Sequence, residues 1–472
     1  MCDVLIIGSG PNGLSAGIFL AQKGLKVRIL EAAATVGGGT RTAELTLPGF
    51  HHDVCSAVHP MGVLSPFFQT LDLATHGLEW VYPKASVAHP LDGEEAVILS
   101  TSMEETAALL GKDAKTYQRL IQPLAEHIDW LMEDSLKPLG IPQHPLFLAN
   151  FGWKAALPAR TFSQIFFKEK RAKALFAGCA GHSILPLDKW FTAALGLVFL
   201  ACGHAVNWPV AKGGSQSISN ALLKYFQALG GDIQYETTIK HFSELPPAKA
   251  YVFDTDPWQV AHIAAAELPN SYLKRLRKYH FGMGSFKIDY ALSEPIPWKD
   301  KRCLEAALVH LGGRFEEIAA YEKATWNGQY HDKPYVLLAQ QSQFDDTRSP
   351  KGQHTCWAYC HVPFGSTRDR SAVIENQIER FAPGFKDTIL KKSSINARAF
   401  HRYNLNYVGG AIAGGSTDIT QLFTRPVARL DPYSTPHPKI FLCSASTPPG
   451  GGVHGMNGYW AARSVWRRLK RS

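Results

Sequence analysis

Long apolar runs are scarce in this sequence. The longest covers residues 190–202, whereas a helix that spans a bilayer needs about 20 apolar residues. The first residues, Met1, Cys2 and Asp3, lead directly into a short apolar run. Because neither a basic segment nor a small-residue cleavage site precedes that run, we expect no secretory signal. These features favour a cytoplasmic protein, with peripheral contact to a membrane as the alternative.

Paired cysteines and metal-binding patterns are also missing. The eight cysteines are scattered and none belongs to a C-x-x-C pair, which favours free thiols over a disulfide framework. His51, His52, Cys55 and His59 are metal-ligating residue types that lie close together. Neither a helical nor a knuckle pattern surrounds them, so no metal site is predicted. The pattern G-x-S-x-G does not occur, which disfavours hydrolases built on a nucleophile elbow.

The composition is that of a globular protein with more than one domain. The chain has 472 residues, of which 45% are hydrophobic and 19% charged, and domains usually contain about 100–200 residues. No repeat with a fixed period occurs, which excludes solenoids and propellers. The formal net charge is +9, but no nucleic-acid-binding module accompanies the basic residues, so we expect no nucleic-acid partner. These residues are expected to be solvated, and weak attraction to an anionic membrane is the alternative.

The strongest motif lies near the N-terminus. An apolar run at residues 4–7 precedes the pattern of Gly8, Gly10 and Gly13, and a helical pattern then leads to a second apolar run ending at Glu31. In a dinucleotide-binding βαβ unit, such glycines permit a tight turn, a close approach to a pyrophosphate and close packing of helix and strand. The helix N-terminus attracts the phosphates, and an acid at the position of Glu31 binds a ribose diol. We therefore predict a dinucleotide site whose adenosine lacks a 2′-phosphate.

Two further glycine clusters favour a flavin over a nicotinamide. Residues 37–39 are glycines, and Arg41 behind them can neutralise a phosphate charge. Near the other end of the chain, a strand pattern at 439–443 leads into a glycine-rich loop and a helical pattern at 459–469. Gly450, Gly452 and Gly455 repeat the dinucleotide letters, but they lie far from the strand end behind two prolines, so no second dinucleotide site is predicted. The dipole of the following helix can instead stabilise an anionic flavin.

These motifs resemble the phytoene desaturase-type FAD-dependent amine-oxidoreductase superfamily. Within it, the sequence is most similar to the branch of pyridine nucleotide-disulphide oxidoreductase domain-containing protein 2. The similar stretches are residues 42–53, 208–222, 403–415 and 443–462, so the resemblance extends over the whole chain. Two positions depart from the family pattern: Pro448 and Pro449 replace His-Pro, and Ser444 replaces a glycine. Both lie where the resemblance places the flavin ring.

The resemblance implies an α/β fold with a discontinuous, Rossmann-like FAD-binding domain at residues 1–75, 205–265 and 420–472. Residues 76–204 and 266–419 would then form an α+β substrate-binding region with a mixed or antiparallel sheet. Alternating apolar residues predict a strand at 286–292, with strands at 335–343 and 354–362 as its neighbours. Residues 109–132 and 190–204 have helical patterns.

The resemblance also implies which residues bind FAD and which take part in catalysis. His59 and His454 are the candidate proton donors or shuttles, and a hydrogen bond to the backbone is the alternative role for each. No metal is expected. The implied FAD contacts are Gly8, Gly10, Pro11, Asn12, Gly13, Glu31, Ala32, Gly38, Gly39, Thr40, Arg41, Thr238, Ile239, Gly452, Val453, His454 and Met456.

The implied reaction transfers hydride from a hydrophobic, isoprenoid or lipid-like small molecule to FAD, as in a desaturase or dehydrogenase. Oxygen, a quinone or a similar acceptor would then take the electrons. An amine oxidase-like enzyme is the first alternative, and it needs an aromatic cage to which Tyr403, Tyr407 and Tyr459 could contribute. A non-catalytic lipid carrier of the same fold is the second alternative, and the intact glycine motifs argue against it.

Overall fold

Strands and helices are interleaved along the part of the chain that the structure describes, residues 2–471 of a computed structural model. The strands are β1 (Val4–Ile7), β2 (Val27–Leu30), β3 (Thr42–Glu44), β4 (His51–Asp53), β5 (Trp80–Val81), β6 (Ala85–Leu91), β7 (Glu94–Ser100), β8 (Val210–Ala211), β9 (Asp232–Gln234), β10 (Ala250–Phe253), β11 (Gly284–Leu292), β12 (Ala306–Leu311), β13 (Val336–Ala339), β14 (His354–Val362), β15 (Ile389–Ile395) and β16 (Ile440–Leu442). The helices are α1 (Pro11–Gln22), α2 (Pro60–Val63), α3 (Met103–Ala108), α4 (Ala114–Glu126), α5 (Ile128–Ser135), α6 (Pro145–Ala155), α7 (Ala159–Phe166), α8 (Lys170–Gly181), α9 (Thr192–Ala205), α10 (Gln216–Ala228), α11 (Pro257–Ile263), α12 (Asn270–Arg277), α13 (Phe315–Trp326), α14 (Ser371–Phe381), α15 (Ala397–Tyr403) and α16 (Met456–Leu469).

A five-stranded parallel sheet, in the order β16-β10-β1-β2-β9, brings three distant segments of the chain together. Its central strand, β1, pairs with β2 on one side and β10 on the other. All residues of β1 are buried, as expected of a parallel strand that is covered on both faces. Helices α1, α10 and α16 pack together on one face, and α11 and α12 cover the other. The predicted α/β fold class is confirmed.

A seven-stranded mixed sheet, in the order β15-β11-β14-β13-β12-β6-β7, forms the second layer. Its neighbours are antiparallel except for β12 and β6. The prediction that β13 directly adjoins β11 is wrong, because β14 lies between them and β15 takes the other side of β11. Strand β13 is completely buried and pairs on both sides, whereas β15 is largely exposed and rich in lysine, as suits an edge strand.

The predicted helix at residues 109–132 is interrupted. Helix α4 ends at Glu126, His127 has non-helical backbone angles, and α5 begins at Ile128. Pro123 lies inside α4, and a proline removes a backbone donor and distorts the helix around it. The C-terminal helix begins earlier than its predicted start at residue 459, because α16 already starts at Met456.

Two negative findings concern the described residues 2–471. None of their helices combines the length and the apolar character needed to cross a membrane. Their eight cysteines are all free thiols, and every one except Cys2 is buried.

Candidate active site

A cavity of about 650 Å³ opens at the carboxyl edge of the parallel sheet. Ile7 and Leu30, the last residues of β1 and β2, line its first part. It continues to the face of the mixed sheet, where Leu308 and Leu337 line it. Since ligands of open α/β sheets bind outside the carboxyl ends of the strands, the cavity joins a nucleotide-binding position to the second sheet.

The turn between β1 and α1 forms one wall of this cavity. Gly8, Gly10, Pro11 and Asn12 line it, and α1 begins within the same turn. Gly13 lies behind the wall, where an added Cβ would stand 2.2 Å from the carbonyl oxygen of Gly8, so only glycine allows this approach. The free N–H groups and the positive dipole end of α1 suit the wall to an anionic phosphate.

Glu31 lies at the end of β2, where donors hold its carboxylate in place. One oxygen, Oε2, accepts hydrogen bonds from the Ser9 backbone N–H at 2.9 Å and the Ser9 hydroxyl at 2.5 Å. The other, Oε1, accepts from the Ala33 N–H at 2.9 Å and from Arg41 at 3.2 Å. The positive charge of Arg41 therefore compensates the negative charge of Glu31 beside the cavity. The neighbouring residue Ala32 lines the cavity too.

The second glycine cluster closes over the first. Gly38, Gly39, Thr40 and Arg41 all line the cavity. The Arg41 guanidinium lies 5.9 Å from the ring centre of Tyr403 and also donates to the Thr35 carbonyl at 2.8 Å. A cation is thereby fixed at the wall of the cavity.

Residues after β9 form the opposite wall. Thr238 and Ile239 line the cavity, and the Thr237 N–H donates to the Glu31 carbonyl at 2.8 Å. The chain leaves the strand at Glu236, which has a positive φ of 53°. This wall therefore contains two of the residues that the resemblance implies as FAD contacts.

The glycine-rich loop before α16 reaches the same cavity from the far end of the chain. Gly452 and Val453 line the cavity, whereas His454 and Met456 do not. The Nδ1 atom of His454 accepts the Met456 N–H at 3.1 Å, and its carbonyl accepts the Ser65 hydroxyl at 2.6 Å. Burial lowers the pKa of His454 to about 4. These contacts place His454 as a buried residue at the start of α16.

His59 faces the cavity. Its Nε2 atom lies 2.8 Å from the Ser215 hydroxyl, and that hydroxyl donates its only proton to the Ser56 carbonyl at 2.7 Å. Nε2 must therefore carry the proton in this hydrogen bond. Burial lowers the pKa of His59 to about 4, so its imidazole is neutral near pH 7.

The three tyrosines suggested for an aromatic cage do not come together. Tyr403 and Tyr407 line the cavity on the side of the second glycine cluster. Tyr459 instead packs against Phe19 and Phe67, with ring centres 5.3 and 5.0 Å away, and does not line the cavity.

The part of the cavity over the mixed sheet, here called the apolar arm, is lined mostly by residues that no sequence motif marks. Strand periodicity could have placed Leu308, Trp357 and Tyr359 on faces of their strands, but it could not say which face meets a ligand. His182 is the polar exception, and its Nε2 atom lies 3.0 Å from Nε2 of His310. The residues of the apolar arm are His182, Ile184, Phe199, Trp208, Leu308, Leu337, Trp357 and Tyr359.

A second missed residue is Asp254, which follows β10 and lines the cavity beside the glycine turn. Its Oδ2 atom accepts the Gly13 N–H at 2.9 Å. An aspartate after a strand belongs to no sequence motif that would mark it.

A buried ion network supports the cavity from behind. Arg348 donates to Asp53 at 2.7 Å and to Asp345 at 2.9 Å, and all three side chains are completely buried. Asp53 also accepts the Ser215 N–H at 2.7 Å. Burial alone would raise the pKa of Asp53, but attraction to Arg348 and the hydrogen bonds outweigh it and lower that pKa. The network ties β4 to the loop after β13 and to the start of α10.

No metal centre emerges from the described structure. Between residues 2 and 471, no group of three or more histidine, cysteine, aspartate or glutamate side chains is placed to hold a metal ion.

Comparisons with known proteins agree with this architecture. A family model described as an NAD(P)-binding Rossmann-like domain matches residues 6–71. Pyridine nucleotide-disulfide oxidoreductase domain-containing protein 2 of Rattus norvegicus is 24% identical, over 99% of this chain and 94% of its own length. A limonene dehydrogenase subunit of Castellaniella defragrans is 22% identical, over 98% of this chain and 94% of its own length. The resemblance to the FAD-dependent amine-oxidoreductase superfamily is confirmed.

Solved structures extend the similarity to the whole fold. An oxidoreductase from Methanosarcina mazei has a TM-score of 0.67 at 15% identity, covering 98% of this chain and 100% of its own. Cyclohexylamine oxidase from Brevibacterium oxydans has a TM-score of 0.59 at 14% identity, covering both chains completely. The fold is therefore that of these oxidoreductases, and it includes the Rossmann-like domain that the family model matches.

Proposed function

We propose that this protein is an FAD-dependent oxidoreductase that removes hydride from a neutral, hydrophobic substrate. One observation carries the proposal: a single cavity connects the glycine turn at Gly10 with an apolar arm that ends at Leu308 and Leu337. The dinucleotide would occupy the first part and the substrate the second. The name of one relative, a limonene dehydrogenase, contains a neutral hydrocarbon, which agrees with such a substrate.

The residues at the first part of the cavity fit FAD. An added Cβ on Gly10 would lie 2.8 Å from an oxygen of Asp254, so the absence of a side chain leaves the wall open to a pyrophosphate. In this proposal the backbone from Gly10 to Asn12 holds the phosphates, and Glu31 holds the adenosine ribose. The loop at Gly452 and Val453 would contact the flavin. A bound flavin accepts two electrons as hydride and passes them to an acceptor such as oxygen or a quinone.

The charges along the cavity favour a neutral substrate over an amine. The carboxyl and guanidinium groups that line the cavity lie at the nucleotide end, on Glu31, Asp254, Asp256, Arg41 and Arg402, and no residue of the apolar arm has a carboxyl group. Moving an ammonium group into such surroundings without a partner is costly. A hydrocarbon instead gains binding free energy there, because burial of apolar surface contributes roughly 25 cal/mol per Å².

The first experiment asks whether the purified protein binds FAD and whether a substrate reduces it. We expect a yellow protein whose flavin absorption bleaches anaerobically with a carotenoid precursor such as phytoene and persists with aliphatic amines. Bleaching by amines alone would favour the amine oxidase-like alternative. A colourless protein that does not take up added FAD would contradict the proposal and favour the carrier.

A bulky substitution in the apolar arm should weaken substrate binding without weakening FAD binding. We expect Leu308→Trp to keep a full complement of FAD and to lower the rate of anaerobic bleaching by phytoene at least about tenfold, because the larger ring fills the arm and overpacking is not relieved elsewhere. Leu390→Trp is the matched control, since Leu390 is 45% exposed on β15 of the same sheet. Equal bleaching rates in both variants would place the substrate elsewhere.

A further inference from the structure

Asp254 places a carboxyl group at a position where the fold is suited to bind an anion. It follows β10 at the carboxyl edge of the parallel sheet and is only 6% exposed. Its Oδ2 atom accepts the Gly13 N–H at 2.9 Å. The same oxygen would lie 2.8 Å from a Cβ on Gly10. Asp254 therefore lies against the two glycines that shape the phosphate wall.

Only backbone N–H groups, those of Gly13 and Gly10, compensate a negative charge on Asp254. Glu31 approaches from the end of β2, and the thiol of Cys443 approaches from β16. Asn406 donates its side-chain amide to the Asp254 carbonyl at 3.0 Å, so that donor is already used. No lysine, arginine or histidine within residues 2–471 forms an ion pair with Asp254, and Arg41 pairs with Glu31 instead. Burial, together with repulsion from Glu31, outweighs the hydrogen bonds from the Gly13 and Gly10 N–H groups and raises the pKa of Asp254 to about 8.

We propose that Asp254 binds the dinucleotide as a neutral carboxylic acid whose hydroxyl donates a hydrogen bond to a pyrophosphate oxygen. This inference rests on the proposed binding of FAD and adds a residue to that site. Two anionic groups that share a small buried site cannot both be ionised without a large cost. A protonated carboxyl reverses the interaction, because an O–H donor facing a phosphate makes a short, charge-assisted hydrogen bond.

Binding of the anion and protonation of Asp254 are then linked. Below pH 8 the acid is already protonated, so the affinity for FAD should not change with pH. Above pH 8 each binding event must take up one proton, and the affinity should fall about tenfold per pH unit. An asparagine at this position keeps an acceptor for the Gly13 N–H and an N–H donor for the phosphate, without a proton to lose.

The test is a titration of nucleotide-free protein with FAD, and separately with ADP, from pH 6 to pH 9 by isothermal calorimetry. We expect the wild type to lose affinity for both ligands above pH 8, and Asp254→Asn to bind with an affinity that does not vary with pH. Asp232→Asn is the control, because Asp232 is exposed at the edge of the same sheet, and it should behave as the wild type. A pH-independent wild type, or equal pH dependence in Asp254→Asn, would overturn the proposal. If the affinity for ADP did not vary with pH while that for FAD did, Asp254 would not contact the pyrophosphate, and the proposal would again be overturned.

The thermal stability of the nucleotide-free protein gives a second test of the protonation state of Asp254. A raised pKa means that the folded state holds its proton where the unfolded chain has released it, so stability falls as pH rises from about 4 to about 8. We therefore expect Asp254→Asn to melt higher than the wild type at pH 8 and at the same temperature near pH 4. Equal melting curves at both pH values would contradict a neutral Asp254. If no variant binds FAD at any pH but the melting curves differ as expected, the proposed function fails while the protonation state stands.

Discussion

Replacing Gly10 with valine is expected to lower the affinity for FAD at least about 100-fold while the protein still folds. Gly10 has φ of −65° and ψ of 172°, angles that a valine also adopts, so the backbone is not strained. The new side chain would instead occupy the wall where a pyrophosphate is proposed to lie, starting 2.8 Å from an Asp254 oxygen. The amount of FAD that remains bound after gel filtration, measured by absorbance, gives the result directly.

A matched control distinguishes a blocked glycine turn from a general loss of structure. Gly152→Val adds the same side chain in α6, where no atom lies within 4 Å of the new Cβ, and it should keep its FAD. Both variants should retain the far-ultraviolet circular dichroism spectrum of the wild type. A Gly10→Val protein that purifies with one FAD per chain would refute the assignment of this turn to the cofactor.

Replacing Arg348 with methionine should lower the free energy of unfolding by about 3–5 kcal/mol. The substitution leaves the carboxyl groups of Asp53 and Asp345 buried without their cation. The midpoint of a urea unfolding curve at pH 7 measures the loss. Because the pKa of Asp53 is lowered in the folded protein, the contribution of the pair is present at neutral pH. It is lost as the pH falls below about 4, so the gap to the wild type should narrow there.

The control for this prediction is an ion pair at the surface. Arg28 and Asp232 pair between β2 and β9, and their side chains are 44% and 56% exposed. Exposed pairs contribute about 0–1 kcal/mol, so Arg28→Met should barely move the unfolding midpoint. If Arg348→Met were equally mild, the network around Asp53 would not support the cavity as described.

The βαβ unit at the N-terminus was predictable because local signals coincide there. An apolar run, three glycines at fixed spacing and an acid at the end of the next run all belong to residues 4–31, and the structure places them in β1, α1 and β2. The strand at His354–Val362 is also predicted with the bounds that the structure shows.

The neighbours of each strand were harder to predict than the strands themselves. Nothing in the sequence of β13 indicates that it pairs with β12 and β14 and not with β11, because pairing depends on contacts between residues far apart in the chain. The role of Asp254 is hidden for a related reason. Its importance arises from Gly13, more than 200 residues away, and from the lack of a nearby cation. The apolar arm is likewise assembled from β12, β13, β14 and α9, and no single stretch carries its signature.

The order of strands in the parallel sheet has a consequence for biosynthesis. The edge strand β16 and its helix α16 follow the other four strands of this sheet in the chain and leave the ribosome after them, yet they pack beside β10 and α1. During translation, the nascent parallel-sheet domain therefore exposes an unpaired strand edge and the apolar surface of α1 until residues 440–469 have been made. Such exposure favours aggregation, so the yield of soluble protein should respond to chaperone supply and growth temperature more than its final stability would suggest.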